Sequence, residues 1–319
     1  MVKALYRLFA SLMVMAAAAG GTLYFKPLWV ADQQVRFHLW RQDVRSEYVT
    51  VNGYRLHYFE ALPKAGVADT PLLLIHGLGA RGEDWSTLIP ELAARGFHVY
   101  VPDLLGYGRS QRPDVDYSIA LQQETMVGFL DAMHVRKADV GGWSMGGWVA
   151  MKLALEHPER VDRLVVYDSA GIYFPATFGA ELFTPRDSAG VAKLMGMLTP
   201  HPRKLPDFAQ KAVLQKLGGN AWVIRRSVAA MTNGRDLMDF RLHELTMPML
   251  VVWGDKDVLI PLYVGRKIHG GVEGSRLAVM EGCGHLAPAE CSKPVLASTV
   301  EFLRSVPALR GGERSYPAE

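Results

Sequence analysis

From residue 70 onward the chain alternates short, continuous apolar runs with stretches of helical periodicity. The runs are Leu72–Ile75, His98–Val101, Ala138–Gly141, Leu164–Tyr167, Met249–Trp253 and Arg276–Met280. Runs that are apolar at every position suit strands covered on both faces, and helical stretches between them imply parallel crossovers. Ahead of them, Glu47–Val51 and Tyr54–Glu60 flank Asn52-Gly53, the strongest short-range hairpin signal. The pattern predicts an α/β fold: a mostly parallel eight-stranded sheet with helices on both faces. Ligands of such sheets bind where strands end, so the turns after the runs are where chemistry is expected.

Two regions break the rhythm. Between Ile172 and His243 the segment carries Pro175, Pro185, Pro200 and Pro202, several Phe and Met, and helical stretches over Gln210–Leu217 and Ala221–Thr232. It is expected to be a helical cap, residues 172–243, inserted into a core formed by 46–171 and 244–319. The last residues, Gly311 to Glu319, are expected to fray. At the other end, Lys3 and Arg7 precede an uncharged stretch from Leu8 to Phe25 that closes at Lys26. Its length suits a bilayer-spanning helix. Ala16 to Ala19 offer a signal-peptidase site, which makes secretion after cleavage the alternative. Leu23, Tyr24 and Phe25 carry the apolar run past that site, so retention is expected. Residues 1–45 then form a signal anchor followed by an interfacial segment with Trp29, Arg36, Trp40 and Arg41, and the catalytic domain is extracytoplasmic.

Composition adds exclusions. With 49% apolar and 21% charged residues the chain is an ordinary folded one. A net charge of +3, with no basic run interleaved with aromatics, argues against a nucleic-acid partner. Two cysteines, Cys283 and Cys291, are too few for a disulfide framework and have no zinc-site spacing; they are either small buried thiols or a single bridge.

Chemistry concentrates at four turns. Gly142-Trp143-Ser144-Met145-Gly146 matches G-x-S-x-G between a run and a helical stretch, where glycines allow the tight turn that exposes a serine. His76-Gly77-Leu78-Gly79 follows the first run. An acyl-transfer site needs two converging N–H donors, and Met145 and Leu78 are placed to supply them. His76, ahead of a glycine turn, suits bracing better than catalysis. Asp257, in Trp253-Gly254-Asp255-Lys256-Asp257, and His285, in Gly282-Cys283-Gly284-His285, close the last two runs. A serine hydroxyl needs an imidazole to take its proton and a carboxylate to hold the ring's tautomer. Asp168, after Leu164–Tyr167, and Asp255 are the rival acids.

Together with Val101-Pro102-Asp103-Leu104-Leu105-Gly106-Tyr107-Gly108-Arg109-Ser110, these segments resemble the α/β-hydrolase family over about Glu47 to Leu303. The resemblance implies Ser144 as nucleophile, His285 as base, Asp257 as acid, Leu78 and Met145 as oxyanion donors, and no metal or organic cofactor. The N-terminal stretch, His76-Gly77-Leu78-Gly79-Ala80 and Trp85 resemble the membrane-bound monoacylglycerol lipase branch. Related dehalogenases and epoxide hydrolases carry aspartate where Ser144 stands, which argues against both. Esterases and lipases, carbon–carbon bond hydrolases of ring-cleavage products, cofactor-free perhydrolases and non-catalytic receptors of this fold remain. The cap residues Phe174, Phe178, Leu182, Phe183, Met195, Met197 and Leu198 suit an acyl chain. An anchor would keep the site close to lipid-derived esters, so a small-molecule ester of that kind is the expected partner. Carbon–carbon hydrolases would need a cationic clamp on the substrate carboxylate, for which Arg225 and Arg226 are the candidates. The oligomeric state stays open.

Overall fold

Asn52 and Gly53 take φ of 51° and 82°. That left-handed pair matches the twist of a two-residue hairpin, and β1 (Arg45–Val51) folds back on β2 (Tyr54–Ala61) with Val51 opposite Tyr54. The computed structural model describes residues 20–64 and 69–317, with Phe9, Met13 and Met15. β2 pairs antiparallel with β4 (Phe97–Pro102). Every later pairing is parallel, through β3 (Thr70–Ile75), β5 (Ala138–Trp143), β6 (Val161–Tyr167), β7 (Met249–Gly254) and β8 (Arg276–Met280). The strand order is β1-β2-β4-β3-β5-β6-β7-β8, closed at the far edge by β9 (Glu313–Tyr316).

Period-two alternation splits each central strand between two cores. Leu73, Ile75, Leu164, Val166, Met249 and Val251 join one cluster. Their neighbours Leu72, Leu74, Val165, Tyr167, Leu250 and Val252 join the other. Helices cover both faces, as predicted. Ile119–Ala132, capped by Ser118 accepting the Leu121 N–H, and Met145–Glu156 lie on the first; Ser292–Arg304 lies on the second.

The ninth strand corrects the sequence reading. Glu313–Tyr316 (β9) lies parallel to β8, where frayed chain was expected. Its Glu-Arg-Ser-Tyr sequence is polar and mostly exposed, so it carries no apolar signal. An edge strand can be held by its ladder alone, here assisted by Arg266 on Glu313 and Arg314 on Glu301. In the cap, the two predicted helical stretches fuse into one 26-residue helix, Asp207–Thr232, joined by a further helix over Ser188–Leu198. Gly218 and Gly219 do not break it, because Val223, Ile224 and Val228 anchor its C-terminal half in the core.

The expected membrane span over Leu8–Phe25, with Lys3, Arg7 and the Ala16–Ala19 site, lies mostly outside the described residues. Among the described residues no helix is long and apolar enough to cross a membrane. The segment after it is helix α1, Pro27–Arg41, starting at a proline as helices tolerate. α1 packs on the body through buried Leu39, and its Asp32 and Arg36 pair with Arg81 and Glu83.

Asp139 on β5 is buried at a register shift between β5 and β6, and one of its carboxylate oxygens has no partner among the described residues. Burial, reinforced by Asp162, pushes its pKa up to about 7. A carboxyl that holds its proton more tightly folded than unfolded makes stability fall as pH rises from the unfolded to the folded pKa. Asp139→Asn is therefore expected to raise Tm at pH 8 and to leave it nearly unchanged at pH 4. The ceiling on the gain is on the order of 4 kcal/mol, taking about 1.4 kcal/mol for each pH unit that separates the unfolded from the folded pKa. Equal changes of Tm at both pH values would refute this account.

Candidate active site

The nucleophile turn is fixed by contacts that leave no room for side chains. Ser144 ends β5 and begins the helix Met145–Glu156 with φ 57° and ψ −120°, a conformation non-glycine residues avoid. A Cβ on Gly142 would sit 2.2 Å from the Gly146 carbonyl oxygen, and one on Gly146 would sit 2.3 Å from that of Ile75. Helix and strands therefore close on one another at these two glycines, and the serine between them is forced out over the strand ends. The Ser144 N–H donates to the Tyr167 carbonyl at 2.9 Å, tying the turn to β6.

His285 and Asp257 meet Ser144 from two loops. The Ser144 hydroxyl lies 2.9 Å from His285 Nε2, and His285 Nδ1 lies 2.8 Å from Asp257 Oδ2. Asp257 Oδ1 accepts from the Leu259 and Ile260 N–H groups, each at 2.9 Å. With three donors on a buried carboxylate, the negative charge is compensated and the ring orientation is fixed. The Trp143 indole N–H donates to the His285 carbonyl at 2.7 Å, so the residue before Ser144 also holds the His285 loop.

The His76–Gly79 loop is packed against the same serine. A Cβ on Gly77 would lie 3.0 Å from Ser144 Cβ, which brings Leu78 to the edge of the site. Met145 N–H is the first of its helix, and the leading N–H groups of a helix have no partner within it. His76 is buried: its Nδ1–H donates to the Gly77 carbonyl, and its Nε2 accepts from the Leu104 N–H. Burial pushes its pKa down, so it stays neutral and braces two loops. Over the site, Ile224 of the long cap helix lies 3.8 Å from where a Cβ on Gly79 would be.

The rival acids are elsewhere engaged. Asp255 accepts from the Gly282 N–H at 2.6 Å and pairs with Lys256, bracing the ends of β7 and β8. Asp168 is buried and accepts from the Gly254 N–H at 2.8 Å; its hydrogen bond is to backbone, not to His285. A second serine–histidine–aspartate chain went unnoticed in the sequence. Ser46 Oγ is 3.1 Å from His57 Nε2, and His57 Nδ1 is 2.8 Å from Asp103. It lacks the rest of an acyl-transfer site. Ser46 lies in regular strand paired with Phe59, with no glycine turn or helix start beside it, and its oxygen already accepts from Arg109.

The two cysteines form a bridge, Cys283–Cys291, and it encloses the loop that carries His285. Glu290, inside that ring, accepts from the Gly284 N–H at 3.0 Å. Cys291→Ser is expected to cost about 2–3 kcal/mol in urea unfolding and to lower kcat more than it raises KM; unchanged kcat would detach the bridge from His285 placement. Gly146→Ala should displace the helix from β3 and cut kcat about a hundredfold in a variant that still folds by circular dichroism, whereas parent-like kcat would mean the turn tolerates a Cβ.

The alpha/beta hydrolase fold family model matches residues 70–290. The 2-hydroxymuconate semialdehyde hydrolase of Pseudomonas sp. (strain CF600) is 31% identical over 76% of this chain and 89% of that protein. An uncharacterized protein of Mycobacterium tuberculosis is 31% identical over 75% of both. Among solved structures, a membrane phospholipase A described as a bacterial virulence factor superposes with a TM-score of 0.78 at 25% identity, covering 93% of this chain and 98% of that one. Carbon–carbon bond hydrolases thus stand among the relatives alongside a phospholipase, and they do not single out the monoacylglycerol lipase branch. Serine turn, imidazole and carboxylate sit at strand ends within the matched segment, and the chain belongs to the α/β-hydrolase fold family.

Proposed function

We propose that this protein is a serine hydrolase that cleaves carboxylic esters through an acyl-enzyme, acting on lipid-derived esters. The carrying observation is the unbroken hydrogen-bond chain from Ser144 through His285 to Asp257 on a strained turn at a helix start. His285 Nε2 takes the hydroxyl proton as Ser144 Oγ attacks the ester carbonyl, while Nδ1–H stays with Asp257. The oxyanion is met by the N–H groups of Leu78 and Met145. His285 then protonates the departing alcohol, and water activated by the same ring releases the acid.

The cap and the N-terminal helix favour a lipid-like acyl group. Phe174, Phe178, Phe183, Met197 and Leu198 pack, partly buried, against the cluster that includes Ile224. α1 exposes Trp29, Phe37 and Trp40 at 54%, 57% and 68%, and Phe25 just before it is exposed as well. Aromatic side chains of this kind favour the headgroup region of a bilayer, and an N-terminal anchor with the catalytic domain outside the cytoplasm completes the proposal.

Carbon–carbon bond hydrolysis is the second reading, favoured by the 31% identical relative. It needs a cation for the substrate carboxylate. Arg226 is held by Asp114 and the Val115 carbonyl and stacks over Trp222. Arg225 is exposed and lines a groove of about 290 Å³ with Thr184, Arg186 and Leu214, whereas its neighbour Ile224 packs toward the oxyanion loop. Arg226 is engaged with Asp114 and Arg225 faces that groove, which favours the ester.

The deciding experiment measures kcat/KM on p-nitrophenyl esters of graded chain length, monoacylglycerols and one dienoic carbon–carbon substrate. Esters should be preferred, Ser144→Ala should abolish turnover, and His285→Ala should lose at least about a thousandfold, with Asp257→Asn losing somewhat less. A higher kcat/KM on the dienoic acid than on every ester would overturn the ester reading. Near-parent turnover in His285→Ala would overturn the mechanism.

A further inference from the structure

Asp168 is a buried acid beside the site that the chain from Ser144 to Asp257 does not use. It ends β6 with φ 43°, and its own N–H donates to the Val252 carbonyl of β7. Its Oδ1 accepts from the Gly254 N–H at 2.8 Å. Its Oδ2 is buried with no hydrogen-bond partner among the described residues.

Gly254 is where the acid loop and the histidine loop touch. A Cβ there would lie 2.3 Å from the Cys283 carbonyl oxygen and 2.4 Å from that of Gly284, immediately before His285. The Lys256 N–H donates to the Cys283 carbonyl at 2.9 Å. Holding Gly254 by its N–H therefore fixes the distance between the loop that carries Asp257 and the loop that carries His285.

The groups facing Asp168 are the Asp257 and Glu290 carboxyls and the backbone amides of Gly254 and Ala287. Two neighbouring buried carboxyls do not both stay ionised, and the charge settles where donors are most numerous. Asp257 has three, two amides and the imidazole. Asp168 Oδ2 accepts no hydrogen bond of normal geometry; the Ala287 N–H faces the carboxyl without closing one, so a proton on Oδ2 breaks no bond among the described residues.

We propose that Asp168 is a positioning residue of this active site: a neutral carboxylic acid that clamps the Gly254 junction between the two catalytic loops and leaves the single negative charge with Asp257. Burial first, and the Asp257 charge second, hold the Asp168 carboxyl well above the usual carboxylate range, in agreement with this placement. The role rests on the serine-hydrolase reading but not on the identity of the substrate. It also explains why an acid at the end of β6 is compatible with a working acid at the end of β7.

The test is the rate at which a fluorophosphonate labels Ser144 in the full chain, followed against pH, since labelling reports the Ser144–His285 pair whatever the substrate. Asp168→Ala removes the clamp and should slow labelling about tenfold or more. Asp168→Asn keeps the shape and an oxygen for the Gly254 N–H, and should recover labelling to within about threefold of the parent. Its acid-limb midpoint should match that of the parent. Were Asp168 ionised, the Asn variant would remove a negative charge near the imidazole and lower that midpoint by about one pH unit, which would overturn the proposal. Parent-like labelling in Asp168→Ala would overturn it as well. If the alanine variant fails to fold, the midpoint of the asparagine variant decides. A parent that labels but turns over no ester removes the ester reading and leaves this one standing; a parent that never labels removes both.

Discussion

Everything at the site depends on the steric closure at Gly142 and Gly146. With no side chain at either position, the helix after β5 approaches β3 and β5 so closely that the residue between them is driven to positive φ. The strain sits on Ser144, and it is sustained by a buried sheet whose central strands contribute apolar side chains to cores on both faces. The half-buried hydroxyl turned toward His285, the leading N–H groups of the helix and the contact with the Gly77 loop are all consequences of this one approach.

The second constraint is electrostatic. Four carboxyls crowd the ends of β6, β7 and β8, with Asp168 and Asp257 buried among them, and the His285 ring lies against Asp257. Each acid is assigned by what donates to it. Asp257 is fully supplied and faces the imidazole; Asp255 is spent on the Gly282 N–H and Lys256; Glu290 is spent on Gly284. The Ser46–His57–Asp103 chain makes the same point from the other side. Hydrogen-bond connectivity among three residue types is not a hydrolytic site unless the serine stands where an oxyanion can be met.

Much of this was legible in the sequence, for physical reasons that mark the boundary. Strands buried on both faces must be apolar throughout, so β3 to β8 announced themselves. Asn52-Gly53 announced the hairpin because few other pairs tolerate its backbone. The site was legible because glycine turns at strand ends are where functional side chains have to stand. β9 was not, since an exposed edge strand needs only its ladder. The unbroken helix Asp207–Thr232 was not, since its continuity through Gly218-Gly219 comes from tertiary packing at Val223, Ile224 and Val228. The Cys283–Cys291 bridge was open because spacing allowed but did not require it. Asp168 was seen as a rival to Asp257, and its distinct place emerges only once the contact of Gly254 with Cys283 and Gly284 is known.

Helix α1 links parts of the molecule that the sheet alone would leave independent. Its Asp32 binds Arg81, directly after the oxyanion loop, and lies 3.8 Å from Lys216 on the long cap helix. Tyr24, just ahead of α1, packs in a tilted pair at 5.3 Å on Phe208 in the first turn of that same cap helix. Arg36 reaches Glu83, which also faces Arg109 on the loop after β4. These pairs are partly screened from solvent, so they persist better at physiological salt than surface pairs do. A displacement of α1 would therefore reach the loop after β3 by two routes, through Arg81 and through the cap helix whose Ile224 packs against Gly79. The His76–Gly79 loop and the long cap helix are thus tied to one N-terminal element, although they come from segments more than a hundred residues apart in sequence.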